Sequence, residues 1–332
     1  KNLFSSDKYG YADLQSNLIF HNFETNKFTK FFINDIDWNY KQFNYSSGLS
    51  GRLLGKLKNV NYETKNTSIY KTDTTHEVFG AIGYLSELNL FKKIKDNSKR
   101  FLTPKMLIRY APGHMREESS NTRINPSNVF TLDRLNTNKN FESGLSTTLG
   151  FDYELEKSNK KLDFSIAQII NEKENQDMPS SSSLNQRFSD VVGYSQLEMN
   201  DNIKLSYNFA LDQNYGQLNY NELGANFDFN PIKFDLNYLQ EKEHIGNQEY
   251  FKGKVDIAPN KYGLFSAETK RNLITNSAEY YNLSYEYTND CLRAGLVYRR
   301  EFYNDSELEP EDSLMFKITL TPFGNINSPS FN

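Results

Sequence analysis

The sequence predicts an all-β chain, an antiparallel up-and-down transmembrane β-barrel of the outer-membrane type. Three observations predict it. Apolar and polar residues alternate with a period of two along most of the chain. The links between the alternating runs are short and long by turns, as in barrels with short periplasmic turns and longer outer loops. The longest run of non-polar character, Val78 to Leu85, is far below the roughly 20 apolar residues that a membrane helix needs.

The alternation is clearest downstream of residue 142. Ile203, Leu205, Tyr207, Phe209 and Leu211 are interleaved with Lys204, Ser206, Asn208 and Ala210. Ile232, Phe234, Leu236 and Tyr238 oppose Lys233, Asp235 and Asn237. Tyr281, Leu283, Tyr285 and Tyr287 oppose Asn282, Ser284, Glu286 and Thr288, and Leu314, Phe316, Ile318 and Leu320 oppose Met315, Lys317, Thr319 and Thr321. This places strands near 142–155, 162–170, 191–199, 203–211, 217–229, 232–240, 249–258, 262–270, 279–288, 291–303 and 312–321. Tight links are expected at Asn200–Asn202, Asn230–Pro231, Ala258–Lys261 and Asn289–Asp290. Longer ones are expected at Asn171–Asp190, Glu241–Gln248, Arg271–Ala278 and Asn304–Glu311.

Upstream, strands are expected near 17–24, 28–43, 47–62, 76–91, 101–110 and 127–134, roughly 16 to 17 in all. The short and long rule breaks at Ala111–Asn125, so either a strand is misplaced there or the segment is an inward-folded insertion.

Composition fits this reading. The chain has 332 residues, is 37% hydrophobic and yet 14% aromatic, with 22 Tyr and 25 Phe. A barrel strand meets lipid on one face only, so a membrane chain of this kind stays polar on average. Aromatics near strand ends, such as Tyr298, Phe302, Tyr303 and Phe323, suit interfacial girdles. A net charge of −4 without a long basic block argues against a nucleic-acid partner. The soluble alternative, an antiparallel sandwich, also alternates, but so many consecutive hairpin-linked strands would curl or split in an open sheet.

Little in the chain suggests chemistry. The one cysteine, Cys291, excludes an internal disulfide and a multi-thiolate metal site. The four histidines have no HxH or HExxH spacing, so no metal or cofactor is expected. Glu307, Glu309, Glu311 and Asp312 read as a solvated acidic loop rather than a catalytic pair, and Ser180–Ser183 as a flexible loop with no GxSxG. His114 lacks a partnered Ser or Asp nearby in sequence. No catalytic residues are assigned, and an enzyme is not expected. Cys291 opens a strand directly after a tight turn; a thiol facing an oxidising compartment tends to find a partner, which here must lie outside the chain. The sequence opens on Lys1 with no charged and apolar leader, which reads as a mature segment or a fragment.

The C-terminal part resembles a known family. YTNDCLRAGLVYRREFY at Tyr287–Tyr303 is similar to the penultimate strand of the LptD family of lipopolysaccharide-assembly outer-membrane proteins. LEPEDSLMFKITLTPFG at Leu308–Gly324 is similar to its last strand, especially in alphaproteobacterial members. INDIDW at Ile33–Trp38, LKNVNY at Leu57–Tyr62 and FLTPK at Phe101–Lys105 also resemble that family.

The resemblance implies that residues 1–332 are the C-terminal part of a barrel of about 26 strands, without the family's N-terminal jellyroll and first strands. It implies a lipopolysaccharide-assembly translocon of the Gram-negative outer membrane that inserts lipopolysaccharide (LPS) into the outer leaflet through a lateral gate. The last-strand half of that gate would be Ser313, Leu314, Met315, Phe316, Lys317, Ile318, Thr319, Leu320 and Thr321. Cys291 would form a disulfide with the N-terminal domain; the family often has two adjacent cysteines there, whereas Asp290 is the neighbour here. The implied partners are an LptE-like plug lipoprotein, a periplasmic LPS-transport bridge, LPS itself and outer-membrane lipids. Two other readings remain at this point: a general outer-membrane porin or substrate channel, and a surface β-sheet binding module.

Overall fold

The structure, a computed structural model, describes residues 2–23, 26–68, 70–94, 98–118, 122–242, 246–302, 311–320 and 324–327. Among them the fold is all-β, antiparallel and up-and-down. The strands of the first part are β1 (Asn2–Ser6), β2 (Gly10–Phe23), β3 (Lys27–Asn39), β4 (Phe43–Asn44), β5 (Leu49–Lys65), β6 (Thr75–Leu88), β7 (Leu90–Lys93) and β8 (Lys99–Ala111). After a long strand-free stretch come β9 (Gly144–Lys157), β10 (Lys160–Asn171), β11 (Val191–Met199), β12 (Ile203–Leu211), β13 (Leu218–Phe229) and β14 (Ile232–Glu241). The chain continues with β15 (Gln248–Ile257), β16 (Gly263–Asn272), β17 (Ser277–Thr288), β18 (Leu292–Glu301), β19 (Glu311–Leu320) and β20 (Gly324–Asn327). No helix among the described residues is long and apolar enough to cross a membrane.

From β9 onward every predicted strand is present with similar ends. The links behave as expected at 200–202, 230–231 and 289–291, which are tight. The link at 273–276 is shorter than predicted, and Asn276 at φ +53° supplies the left-handed turn residue that makes this possible. The acidic link at 304–310 and the gate residue Thr321 lie outside the described residues. The strand taken as last, β19, is followed by the short β20.

Upstream, the expectation near 127–134 is overturned. Asn125 Oδ1 accepts from the backbone N–H groups of Ser127 (2.9 Å) and Asn128 (3.2 Å), and Asn128 Oδ1 accepts from Asn125 N–H (2.8 Å). These side chains satisfy the backbone locally and compete with a ladder, so Val129 and Phe130 lie in a turn and Thr131 and Leu132 in a bend despite the apolar spacing. Without that strand the alternation of links holds: 112–143 falls at the same end of the strands as the links 66–74, 172–190 and 212–217. The stretch Ser180–Ser183, expected as a flexible loop, instead contains a 3-10 turn at Ser180–Ser182 with Ser181, Ser182 and Ser183 buried.

The chain divides into two compact units. The first comprises Lys1–Leu155, Phe164–Tyr194 and Ala210–Leu218. In it β3 pairs with β5 in register Ile33↔Val60, Asp35↔Lys58 and Asp37↔Lys56. The INDIDW and LKNVNY segments are thus cross-strand partners. One face of β3, β5, β6 and β8 is buried, through Phe31, Ile33, Leu54, Val60, Tyr62, Phe79, Ala81, Leu85 and Leu107. The alternate residues Leu18, Phe32, Leu57, Val78, Ile82, Ile108 and Tyr110 are exposed, Leu18 by 79%.

The second unit comprises Glu156–Asp163, Ser195–Phe209 and Asn219–Asn332. Its faces separate row by row. Phe234, Val255, Ala267, Leu283, Tyr298 and Leu314 are register partners across β14 to β19. The next row is Asp235, Lys254, Glu268, Asn282, Arg299 and Ser313. On the polar side Lys252 pairs with Glu268 at 2.9 Å, and Tyr280 Oη donates to Glu268 at 2.6 Å. The apolar side leaves Leu223, Phe234, Phe265, Leu283, Leu296, Leu314 and Phe316 exposed, with shallow grooves around Ala225 and Ala267.

Candidate functional site

The polar chemistry of the first unit is concentrated beneath residues 112–143. Ile124, Val129, Leu132, Leu135 and Phe141 of this segment are buried. Leu132 and Phe141 join the cluster on the inward face of β3, β5, β6 and β8. A Cβ at Gly83 would stand 2.6 Å from Leu132 Cδ2 and 3.1 Å from Leu107 Cδ1, so glycine there admits the segment.

A chain of ion pairs lies beneath the apolar contacts. Arg109, Arg134 and Glu142 are each at most 1% exposed. Arg134 donates from Nε to Glu142 Oε2 at 2.9 Å, from Nη2 to Glu142 Oε1, and from Nη2 to Ser146 Oγ at 2.9 Å. Arg109 donates from Nε to the Leu132 carbonyl at 2.7 Å and from Nη2 to the Glu142 carbonyl at 2.5 Å. Its Nη1 is 3.6 Å from Glu142 Oε1. Burial pushes the Glu142 carboxyl up, but Arg109, Arg134 and the hydrogen bond from Arg134 outweigh it and leave it below its ordinary value.

A second cluster adjoins the first in sequence. Lys58, 2% exposed, is 3.1 Å from Asp133 Oδ2 and 3.7 Å from Asp35 Oδ1. It also donates to the Thr137 carbonyl. Lys56 bonds Asp37 at 2.9 Å and is 3.8 Å from Asp133. Arg116 reaches Glu77 and the Lys139 carbonyl, with its guanidinium 5.3 Å from the Tyr70 ring centre. Asn140 Nδ2 donates to the Arg116 carbonyl at 2.7 Å.

The link 172–190 packs onto the same assembly. Glu118 N–H donates to the Asp177 carbonyl at 2.8 Å, and Asn175 Nδ2 lies 3.3 Å from Met115 Sδ. The sequence reading missed this network. The available signal was parity: Lys58 and Arg109 occupy strand positions that alternate with lipid-suited residues, alongside Val60 and Leu107.

Cys291 and the predicted gate residues lie elsewhere, whereas His114 belongs to the covering segment. Cys291 is exposed and free in the turn between β17 and β18, where its N–H donates to Asn289 Oδ1 at 3.0 Å. Ser313–Leu320 lie in β19, which pairs with β18 from Leu292↔Leu320 to Glu301↔Glu311. On its other edge β19 pairs with β20 over Lys317–Leu320. Asp312 accepts from Tyr298 Oη at 3.1 Å, an intra-sheet role. His114 is exposed, its ring 6.2 Å from that of Phe79. No group of His, Cys, Asp and Glu among the described residues has a metal-binding arrangement.

Comparison with known proteins adds a family. The profile of LptD, LPS transport system D, matches residues 43–285. No curated protein matches the chain. Among solved structures, a mutant of the Rhodopseudomonas blastica porin is 9% identical, with a TM-score of 0.36 over 92% of this chain and 98% of that one. A mutant ferric enterobactin receptor of Pseudomonas aeruginosa is 10% identical, with a TM-score of 0.45 over 89% of this chain and 54% of that one.

Proposed function

The chain belongs to the LptD family of LPS transport proteins, and we propose that it contributes the wall of an outer-membrane barrel that delivers LPS to the outer leaflet. The observation that carries the reading, beside family membership, is the separation of faces. The row through Phe234, Ala267, Leu283 and Leu314 suits hydrocarbon, whereas the adjacent row through Lys254, Glu268 and Arg299 suits water and a charged cargo. Backbone groups inside a bilayer must pair within the sheet, and the continuous ladder from β13 to β19 supplies that pairing.

In this mechanism no bond of the cargo is made or broken. Sugar and phosphate groups follow the polar face while acyl chains leave sideways into lipid. β19, with Ser313–Leu320, forms one side of the lateral gate. Among the described residues its second edge is paired with β20 over a four-position ladder, against ten positions with β18, and a shorter ladder parts at lower cost. Cys291, exposed at the end of the short turns, bonds a periplasmic domain and thereby couples barrel maturation to it. An LptE-like lipoprotein and a periplasmic bridge complete the system and supply direction.

The experiment is depletion of the protein in its own cells, followed by surface labelling of newly made LPS. The reading requires surface LPS to fall while LPS accumulates at the inner membrane. Unchanged delivery to the surface, together with steady ion conductance of the purified protein without a plug, would replace it with the porin reading.

A further inference from the structure

The buried face of the first unit holds guanidinium groups that its own carboxylates do not saturate. Arg109 and Arg134 flank Glu142, giving the buried trio a net positive charge. The nearest further acid, Asp133, is already engaged by Lys56 and Lys58. Arg109 Nη1 and Arg134 Nη1 are buried and have no hydrogen-bond partner, although Arg109 Nη1 stands at ion-pair distance, 3.6 Å, from Glu142 Oε1. Buried donors are rarely left idle, and such an exception points to a missing acceptor.

The geometry is that of an anion site filled from within. A carboxylate presents two oxygens, and both Glu142 oxygens are taken up by Arg134. A phosphate monoester presents three oxygens and up to two charges, enough to hydrogen-bond Nη1 of both arginines, neither of which Glu142 hydrogen-bonds. Arginine forks suit this planar, bidentate recognition. Glu142 also has a way out. Gly144, two residues on, is exposed, has φ +109°, and would meet no atom within 4 Å if it carried a Cβ. The positive φ at Gly144 is one that glycine adopts readily, and the space beside its Cα is open.

We propose that Arg109 and Arg134 form a binding site for a phosphate monoester, kept closed by the carboxylate of Glu142, which the ligand displaces as the chain swings at Gly144. The site deepens the transport reading and rests on it for the source of the phosphate, a phosphorylated glycolipid headgroup. Displacing Glu142 also frees the Asn140–Ser143 end of the covering segment, so cargo arrival and uncovering of the buried face become one event.

The test uses the full-length protein with its natural partners in detergent. Three probes are compared: purified LPS, the same LPS stripped of phosphate by phosphatase, and inorganic phosphate. Binding is measured on wild type, Glu142→Gln and Arg134→Gln, with heat-modifiable gel mobility as the check on folding. Removing the internal competitor should tighten LPS binding at least tenfold, whereas Arg134→Gln should weaken it at least tenfold. Phosphatase-treated LPS should show neither change. A matching gain for inorganic phosphate assigns the site to phosphate alone; a gain confined to LPS assigns it to the headgroup. A folded Glu142→Gln protein that binds LPS no tighter than wild type overturns the proposal.

Amide hydrogen exchange on wild type decides the matter if that variant fails to fold. LPS should speed exchange at residues 140–144 at least fivefold, and an unchanged rate overturns the site. Unchanged LPS delivery in depleted cells would instead overturn the transport reading, whatever the outcome at the arginines.

Discussion

Arg134 donates two hydrogen bonds to Glu142, and both side chains lie at the floor of residues 112–143 with at most 1% exposure. The pair fixes a stretch of chain, without a strand among its described residues, against a sheet face. Removing one partner of such a pair strands a buried charge, at a cost of about 3–5 kcal/mol. Glu142→Ala should therefore lower stability by about that amount, read as a lower urea midpoint for unfolding from detergent micelles. A change under about 1 kcal/mol would show that the pair behaves like a surface bridge.

The same carboxyl sets a pH dependence. Its folded-state value is depressed below the ordinary 4.5 by the two arginines. A depressed acid contributes stability that is fully present above the unfolded value and is lost as pH falls through the folded one. Protection of 112–143 from hydrogen exchange should hold from neutral pH down to about 4.5 and fail below it. Glu142→Gln should remove that acid step. Loss of protection between pH 7 and 5 would contradict the assignment.

Gly83 tests the apolar half of the same contact. Valine there must displace Leu132 and Leu107, and overpacking of this kind costs about 1–3 kcal/mol. Trypsin should cut Gly83→Val after Arg134 or Lys139 faster than wild type while the strands stay resistant. Equal cutting rates would mean that the segment is held independently of this notch.

Cys291 has an exposed thiol in the tight turn before β18. In full-length protein taken from cells it should resist maleimide until a reductant is added, and Cys291→Ser should slow assembly. Full labelling without reductant would remove the disulfide from the account.

The strands were legible because a two-faced sheet writes its period directly into sequence. From Gly144 to Leu320 the alternation tracks register, and the tight links carry Asn, Asp and Pro, whose turn chemistry is local. The covering segment was not legible for the same reason. Val129, Phe130 and Leu132 have strand-like spacing, but their burial depends on distant side chains and their backbone is satisfied by Asn125 and Asn128. The arginine pair was hidden because Arg109 comes from a strand and Arg134 and Glu142 from the segment, so no spacing rule joins them. The resemblance at INDIDW and LKNVNY did carry structural information, since Asp35 and Lys58 meet in register.

On the proposed function, alternate rows of the sheet face lipid and water. Leu283 and Ser284 are adjacent in β17 and belong to opposite rows. The decisive measurement is the folding free energy into lipid bilayers of Leu283→Arg and Ser284→Arg. A loss of about 2–4 kcal/mol is expected for an arginine placed among lipid at this mid-strand position, and under about 1 kcal/mol for one on the wet face. Equal losses at the two positions, or a larger loss at Ser284, would contradict it.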